Sequence, residues 1–118
     1  MHSELIALYE ATREVTWIRT LLCNLSTTLA LPPIDIIPVY EDNQPCIGHA
    51  SSGYIKSEAT KHMAPKIFYP HQLVQAGHIT INYVPSAANV ADLFTKTLTA
   101  PRHGELCGLL GMCRRPSI

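Results

Sequence analysis

Three of the nine acidic residues stand where side chains could do chemistry together. Asp42 follows the short apolar run I-D-I-I-P-V-Y (34–40) and would sit at the C-terminal end of a buried strand. Open α/β sheets place their active sites at that edge. Asp92 falls in the first turn of a helix that follows a second strand after a short loop. Glu4 lies at the start of a long helix that must pack on the sheet. Carboxylates converging from separate elements repel one another unless cations neutralise them. Hard divalent metals with oxygen ligands supply that neutralisation. Plainer roles exist for each. Asp42 could cap a helix, Asp92 could serve a helix dipole, and Glu4 could belong to a solvated face.

The elements that must position these groups follow from hydrophobic spacing. Residues 4 to about 25 read as a helix, with Leu5, Tyr9, Ile18, Leu21, Leu22 and Leu25 near helical spacing. No Pro or Gly occurs from Met1 to Ala30, and Pro32-Pro33 ends the region. Trp17 is expected in the core of this packing. The run Ile34 to Tyr40 is expected to be a buried strand, firmest around Pro38 to Glu41. Pro38 is awkward there, because it removes one ladder hydrogen bond. A short helix, Asn43 to Ala50, comes next. Thr60 to Gln75 is helical in pattern, with Pro65 and Pro70 dividing it into two shorter pieces, and Ala76-Gly77 stops it. His78 to Val84 alternates as a strand. Helices are expected at Ala88 to Leu98, capped by Ser86 or Asn89, and from Pro101 to Leu110. The tail 113–118 is expected to fray.

Two strands alternating with helices predict an α/β fold with parallel pairing. Two strands alone make a poor sheet. The composition agrees with a packed domain: 47% of the 118 residues are hydrophobic and only 15% are charged, against about a quarter in typical domains. The formal net charge is zero, so any nucleic-acid binding must come from local patches or bound cations. Cys23, Cys46, Cys107 and Cys113 form no C-x-x-C pair, which favours reduced thiols. A zinc site combining them with some of the six histidines is the alternative. No apolar stretch reaches the ~18 residues of a membrane span, and no signal peptide is evident. An intracellular location, cytoplasmic or nuclear, is expected, with no membrane partner.

Four stretches carry a resemblance. The first is Ser3-Glu4-Leu5-Ile6-Ala7-Leu8, with Glu10-Ala11 and Trp17-Ile18-Arg19. The second is Tyr40-Glu41-Asp42-Asn43-Gln44 with Cys46-Ile47. The third is Gly53-Tyr54-Ile55-Lys56 with Thr60-Lys61-His62. The fourth is Tyr83-Val84-Pro85 with Asn89-Val90-Ala91-Asp92-Leu93-Phe94-Thr95-Lys96. In this order they resemble the C-terminal part of the ribonuclease H domain of copia-type retrotransposon polyproteins, and Leu110-Gly111-Met112 resembles the family's usual ending. Thr97, Pro45 and Ala87-Ala88 depart from the family's pattern.

The resemblance implies an RNase H-like fold over residues 1–112: a mixed sheet of three antiparallel and two parallel strands flanked by helices. It implies two bound Mg²⁺ or Mn²⁺ ions that activate a water and steady the leaving oxygen in phosphodiester cleavage. The implied substrate is the RNA strand of an RNA/DNA hybrid, distinguished from DNA by its 2′-hydroxyl. The implied partner is an upstream reverse-transcriptase region of the same polyprotein. Glu4, Asp42 and Asp92 match three metal-binding, catalytic carboxylates. The family's first aspartate and first three strands lie upstream of the Glu4 motif. The chain is therefore expected to be truncated at its N-terminus, with impaired hydrolysis. A remnant that binds nucleic acid or protein without catalysis, or an inert transposon fragment, is the alternative.

Asn43, Lys61, His62 and Lys96 are the candidate nucleic-acid contacts. A structural role rivals phosphate contact for Lys61, and packing is the stronger expectation for His62. Lys56, Lys61, Lys66 and Lys96 could form a basic strip or a plain solvated face. No histidine lies between His78 and Asp92, so none is assigned to proton transfer.

Overall fold

The computed structural model describes the chain apart from Met1, residues 54–57, Arg115, Ser117 and Ile118, and gives the backbone alone for residues 58–60. Tyr54, Ile55 and Lys56 of the third motif therefore lie outside the described residues, as do the Thr60 side chain and part of the expected tail. The chain divides into two compact units, Met1–Tyr83 and Val84–Ile118.

The first unit opens with α1, His2–Leu29. Six hydroxyls make its many Ser and Thr residues tolerable by donating to carbonyls three or four residues earlier. Thr12 to Tyr9 (2.8 Å) and Thr16 to Thr12 (2.8 Å) are examples. The helix stops where Ala30 turns to φ 53° and Leu31 N–H donates to the Ser26 carbonyl at 2.9 Å. That is the Schellman arrangement, and Pro32-Pro33 prevents any continuation. The expected helix end at residue 25 falls four residues short, because the polar segment Ser26-Thr27-Thr28 carries no periodic signal.

Strand β1, Ile37–Glu41, pairs in parallel with β2, Ile79–Tyr83. The register sets Ile37 beside Ile79, Val39 beside Ile81 and Glu41 beside Tyr83. Between the strands run α2 (Gln44–Ser52), a 3₁₀ turn (Glu58–Met63) and α3 (Ala64–Gln75). This is the helical crossover that a parallel pair requires. Val39 and Ile81 pack on a buried cluster of Leu5, Leu8, Cys46, Ala50, Met63 and Ile67. That cluster joins the start of α1 to α2, the 3₁₀ turn and α3. Pro38, Tyr40 and Thr80, on the other face, are exposed.

Several expectations change here. The expected two helical pieces are present, a 3₁₀ turn and α3 that meet just before Pro65 in the first turn of α3, where no N–H is needed, but Pro70 makes no break and lies buried within α3. Trp17 is not a core residue. It is 54% exposed, and its indole N–H donates to Glu14. Tyr69 does the packing instead, edge-on to Tyr9 with centroids 5.8 Å apart and its hydroxyl 2.9 Å from that of Thr16.

The second unit contains a 3₁₀ turn (Ser86–Ala88), the single-turn α4 (Asp92–Thr95) and α5 (Ala100–Leu109). The helix expected over Ala88 to Leu98 thus shrinks to four residues. Asn89 turns the chain before it, its Oδ1 accepting from Ala91 N–H at 3.1 Å, and α4 itself has no side-chain cap. Lys96 then leaves with extended backbone. Among the described residues, no helix is long and apolar enough to cross a membrane.

Candidate carboxylate site

Parallel pairing puts the C-terminal ends of β1 and β2 side by side, and Glu41 and Asp42 close β1 at that edge. Residue alternation sends Glu41 to the same side as Val39 and Ile37. Its half-buried carboxyl is pushed above the usual carboxylate range, first by loss of solvent and also by the neighbouring charge of Asp42. A hydrogen bond from Asn43 N–H to Glu41 Oε1 (3.0 Å) pulls the other way.

The next residue shows which group caps α2. Asn43 is extended at φ −95°, ψ 100°, and its Oδ1 accepts from Cys46 N–H at 2.9 Å. Asp42 is thereby relieved of the capping role. Asn43, a candidate nucleic-acid contact, spends its side-chain oxygen inside the protein.

Cys46 connects this edge to α1. Its thiol is fully buried and pushed up to about 12, chiefly by burial, then by the charges of Glu41 and Glu4. Leu5 and Leu8 share the buried cluster with Cys46, and Val39 packs against it, which brings the start of α1 onto the same side as β1. Ser3 donates to Glu4 at 2.9 Å. His62 reaches the same helix start: it is exposed, and its ring stacks on His2 at 5.8 Å with 13° between planes. Neither core packing nor a packing hydrogen bond describes it. Lys61 is exposed and lines a cavity of about 530 Å³ with Gly53, Ala64, Pro65 and Phe68.

Gly53 is required at the rim of that cavity. It ends α2 at φ 65°, and a Cβ there would lie 2.6 Å from the His71 ring. His71 in turn holds α2 through Nδ1, 3.2 Å from the Ala50 carbonyl.

Asp92 belongs to the second unit. It is 9% exposed, and its Oδ1 lies 2.9 Å from Lys96 Nζ one turn along. Lys96, a candidate phosphate contact, is thus engaged by the carboxylate it follows. Among the described residues, no group of three or more His, Cys, Asp or Glu side chains is gathered closely enough to hold a metal. In the first unit, Glu4, Glu41 and Asp42 carry hard oxygen donors of the kind Mg²⁺ and Mn²⁺ take, but they are not gathered into one metal-holding group, and Glu41 is raised first by loss of solvent.

Sequence reading missed Glu41, although the alternation that turns Val39 inward also turns the residue two positions on. It missed His2 as well, whose partner is 60 positions away and carries no local signal. No protein-family model matches the chain, and no solved structure matches it.

Proposed function

We propose that this chain is an RNase H-like region of retrotransposon origin, built to act on RNA/DNA hybrids with divalent cations. The supporting observation is the packing that brings the start of α1, next to Glu4, against the strand that ends in Glu41 and Asp42: Leu5 and Leu8 share a buried cluster with Cys46, and Val39 packs on it. The four motifs supply the chemical class. In the first unit, Glu4 and Asp42 are the residues that would hold Mg²⁺ or Mn²⁺, and by its motif Asp92 of the second unit is a further candidate carboxylate. The ions would supply positive charge at the scissile phosphate. Around them, Asn43 fixes the backbone after Asp42, and His62 stacks on His2 at the start of the helix carrying Glu4.

Cleavage of hybrid by these residues alone is proposed to be slow or absent. The test is a labelled RNA/DNA hybrid incubated with the purified chain and Mn²⁺. Salt-sensitive binding of the hybrid and slow cleavage of its RNA strand, both reduced by Asp42→Asn, support the proposal. Binding no better than to duplex DNA, with no effect of Asp42→Asn, overturns it.

One observation favours a second reading. The Asp92–Lys96 ion pair neutralises a carboxylate that catalysis would need, which suits a region that binds nucleic acid or protein without catalysis. Salt-dependent hybrid binding with no cleavage at any Mn²⁺ concentration would select this reading.

A further inference from the structure

We propose that a small cavity between α1, the end of α3 and the start of β2 binds an inorganic oxyanion of phosphate size. The cavity measures about 70 Å³ and is largely enclosed. Leu73 and Ile79 give it an apolar wall, and Thr16, Arg19, Thr20 and His78 supply polar groups. Those polar groups are unevenly satisfied. The Thr16 and Thr20 hydroxyls donate to α1 carbonyls at 2.8 Å and 3.0 Å. Arg19 Nε–H is buried and has no acceptor among the described residues. The guanidinium reaches the Asp35 carbonyl only at 3.4 Å, and no Asp or Glu among the described residues pairs with it. His78 commits its backbone to Leu73 and Ile37, while its ring makes no hydrogen bond among the described residues.

A buried N–H without an acceptor is strongly destabilising, and a half-buried cation without a counter-charge adds to the cost. Water would accept from Nε–H but leave the charge unbalanced. An oxyanion answers both needs, because the planar guanidinium donates along fixed directions that match its oxygens. The His78 ring on the same wall is a second donor for it. The small, enclosed volume admits one such ion and excludes a polynucleotide strand. The site does not rest on the RNase H reading. Helix α1 carries Arg19 roughly 22 Å beyond Glu4 at about 1.5 Å per residue. Ile79 opens β2, whereas Tyr83, beside Glu41, closes it.

Inorganic phosphate is the probe, titrated into the full chain at constant ionic strength without divalent cations and followed by NMR. The Arg19 Nε–H resonance, assigned by its loss in Arg19→Lys, is expected to shift to saturation. The backbone amides of Thr20 and Ile79 should follow the same curve. Arg19→Lys and His78→Phe should each weaken the binding read at those amides by about tenfold. His78→Gln keeps a donor and should weaken it less. Arg13→Lys, on an exposed part of α1, should leave it unchanged. The dispersion of the amide spectrum verifies that each variant is folded. An Arg19 resonance that stays still, or that moves without saturating, means water or an adventitious ion only and overturns the proposal. Binding unchanged in both Arg19→Lys and His78→Phe, or weakened as much by Arg13→Lys, overturns it too.

Discussion

Ile37 donates its backbone N–H to the His78 carbonyl at 3.1 Å, and this one bond settles the fate of Pro38. In a parallel ladder, alternate residues face the same neighbour. Ile37, Val39 and Glu41 therefore turn their N–H groups toward β2, and the imide nitrogen of Pro38 points to the other side. The proline costs the β1–β2 ladder nothing. Pro38→Val should lower stability by no more than about 1 kcal/mol, through greater freedom of the unfolded chain. Urea denaturation measures this. Clear stabilisation by valine would mean that the proline had been interrupting the ladder.

Ala30 occupies the left-handed region at φ 53° to close α1. A Cβ in that conformation costs roughly 1–2 kcal/mol, and glycine carries no such cost. Ala30→Gly should therefore stabilise the chain, by about 0.5–1 kcal/mol after the larger unfolded-state entropy of glycine is subtracted. A lower melting temperature would show that the helix ends differently.

Ile67 is 1% exposed in the central cluster, and Trp17 is 54% exposed on α1. Ile67→Ala should cost about 2–5 kcal/mol, whereas Trp17→Ala should cost about 1 kcal/mol or less. Chemical denaturation of the two variants checks the ranking, and the reverse order would contradict the packing of α1 on α3.

These residues also show what was legible in the sequence. Element order, parallel pairing and the firm part of β1 follow from alternation and punctuation, because burial on one side writes itself into every second residue. Trp17 was misread because a helical stripe does not say how much of its length a small sheet can cover. The shortening of α4 was hidden because Ala88 to Leu98 contains good helix formers, and the Asn89 turn and the extended exit at Lys96 override them. The positions of Asp42 after β1 and of Asp92 in the first turn of α4 were visible in the sequence. The part played by Asn43, the raised Glu41 and the His2–His62 stack depend on contacts between distant segments or on desolvation, which spacing does not record.

Glu41 holds its proton more tightly in the folded chain than at its ordinary value of 4.5, because it is partly desolvated beside Asp42. The folded state is therefore favoured at low pH and loses that advantage as the pH rises from 4.5 through the raised value. Glu41→Gln removes the loss and retains an oxygen to accept from Asn43. The variant should melt above the parent chain near neutral pH, and the difference should close below pH 4.5. A variant that melts lower at neutral pH would show that the carboxylate is stabilised where it stands.

The account's central claim is that the carboxylates hold a hard divalent cation, and calorimetric titration of Mn²⁺ into the purified chain tests it most directly. Saturable binding is expected in the parent chain and should be lost or greatly weakened in both Asp42→Asn and Glu4→Gln. Absence of binding in the parent chain, or binding unchanged by both variants, would contradict the claim.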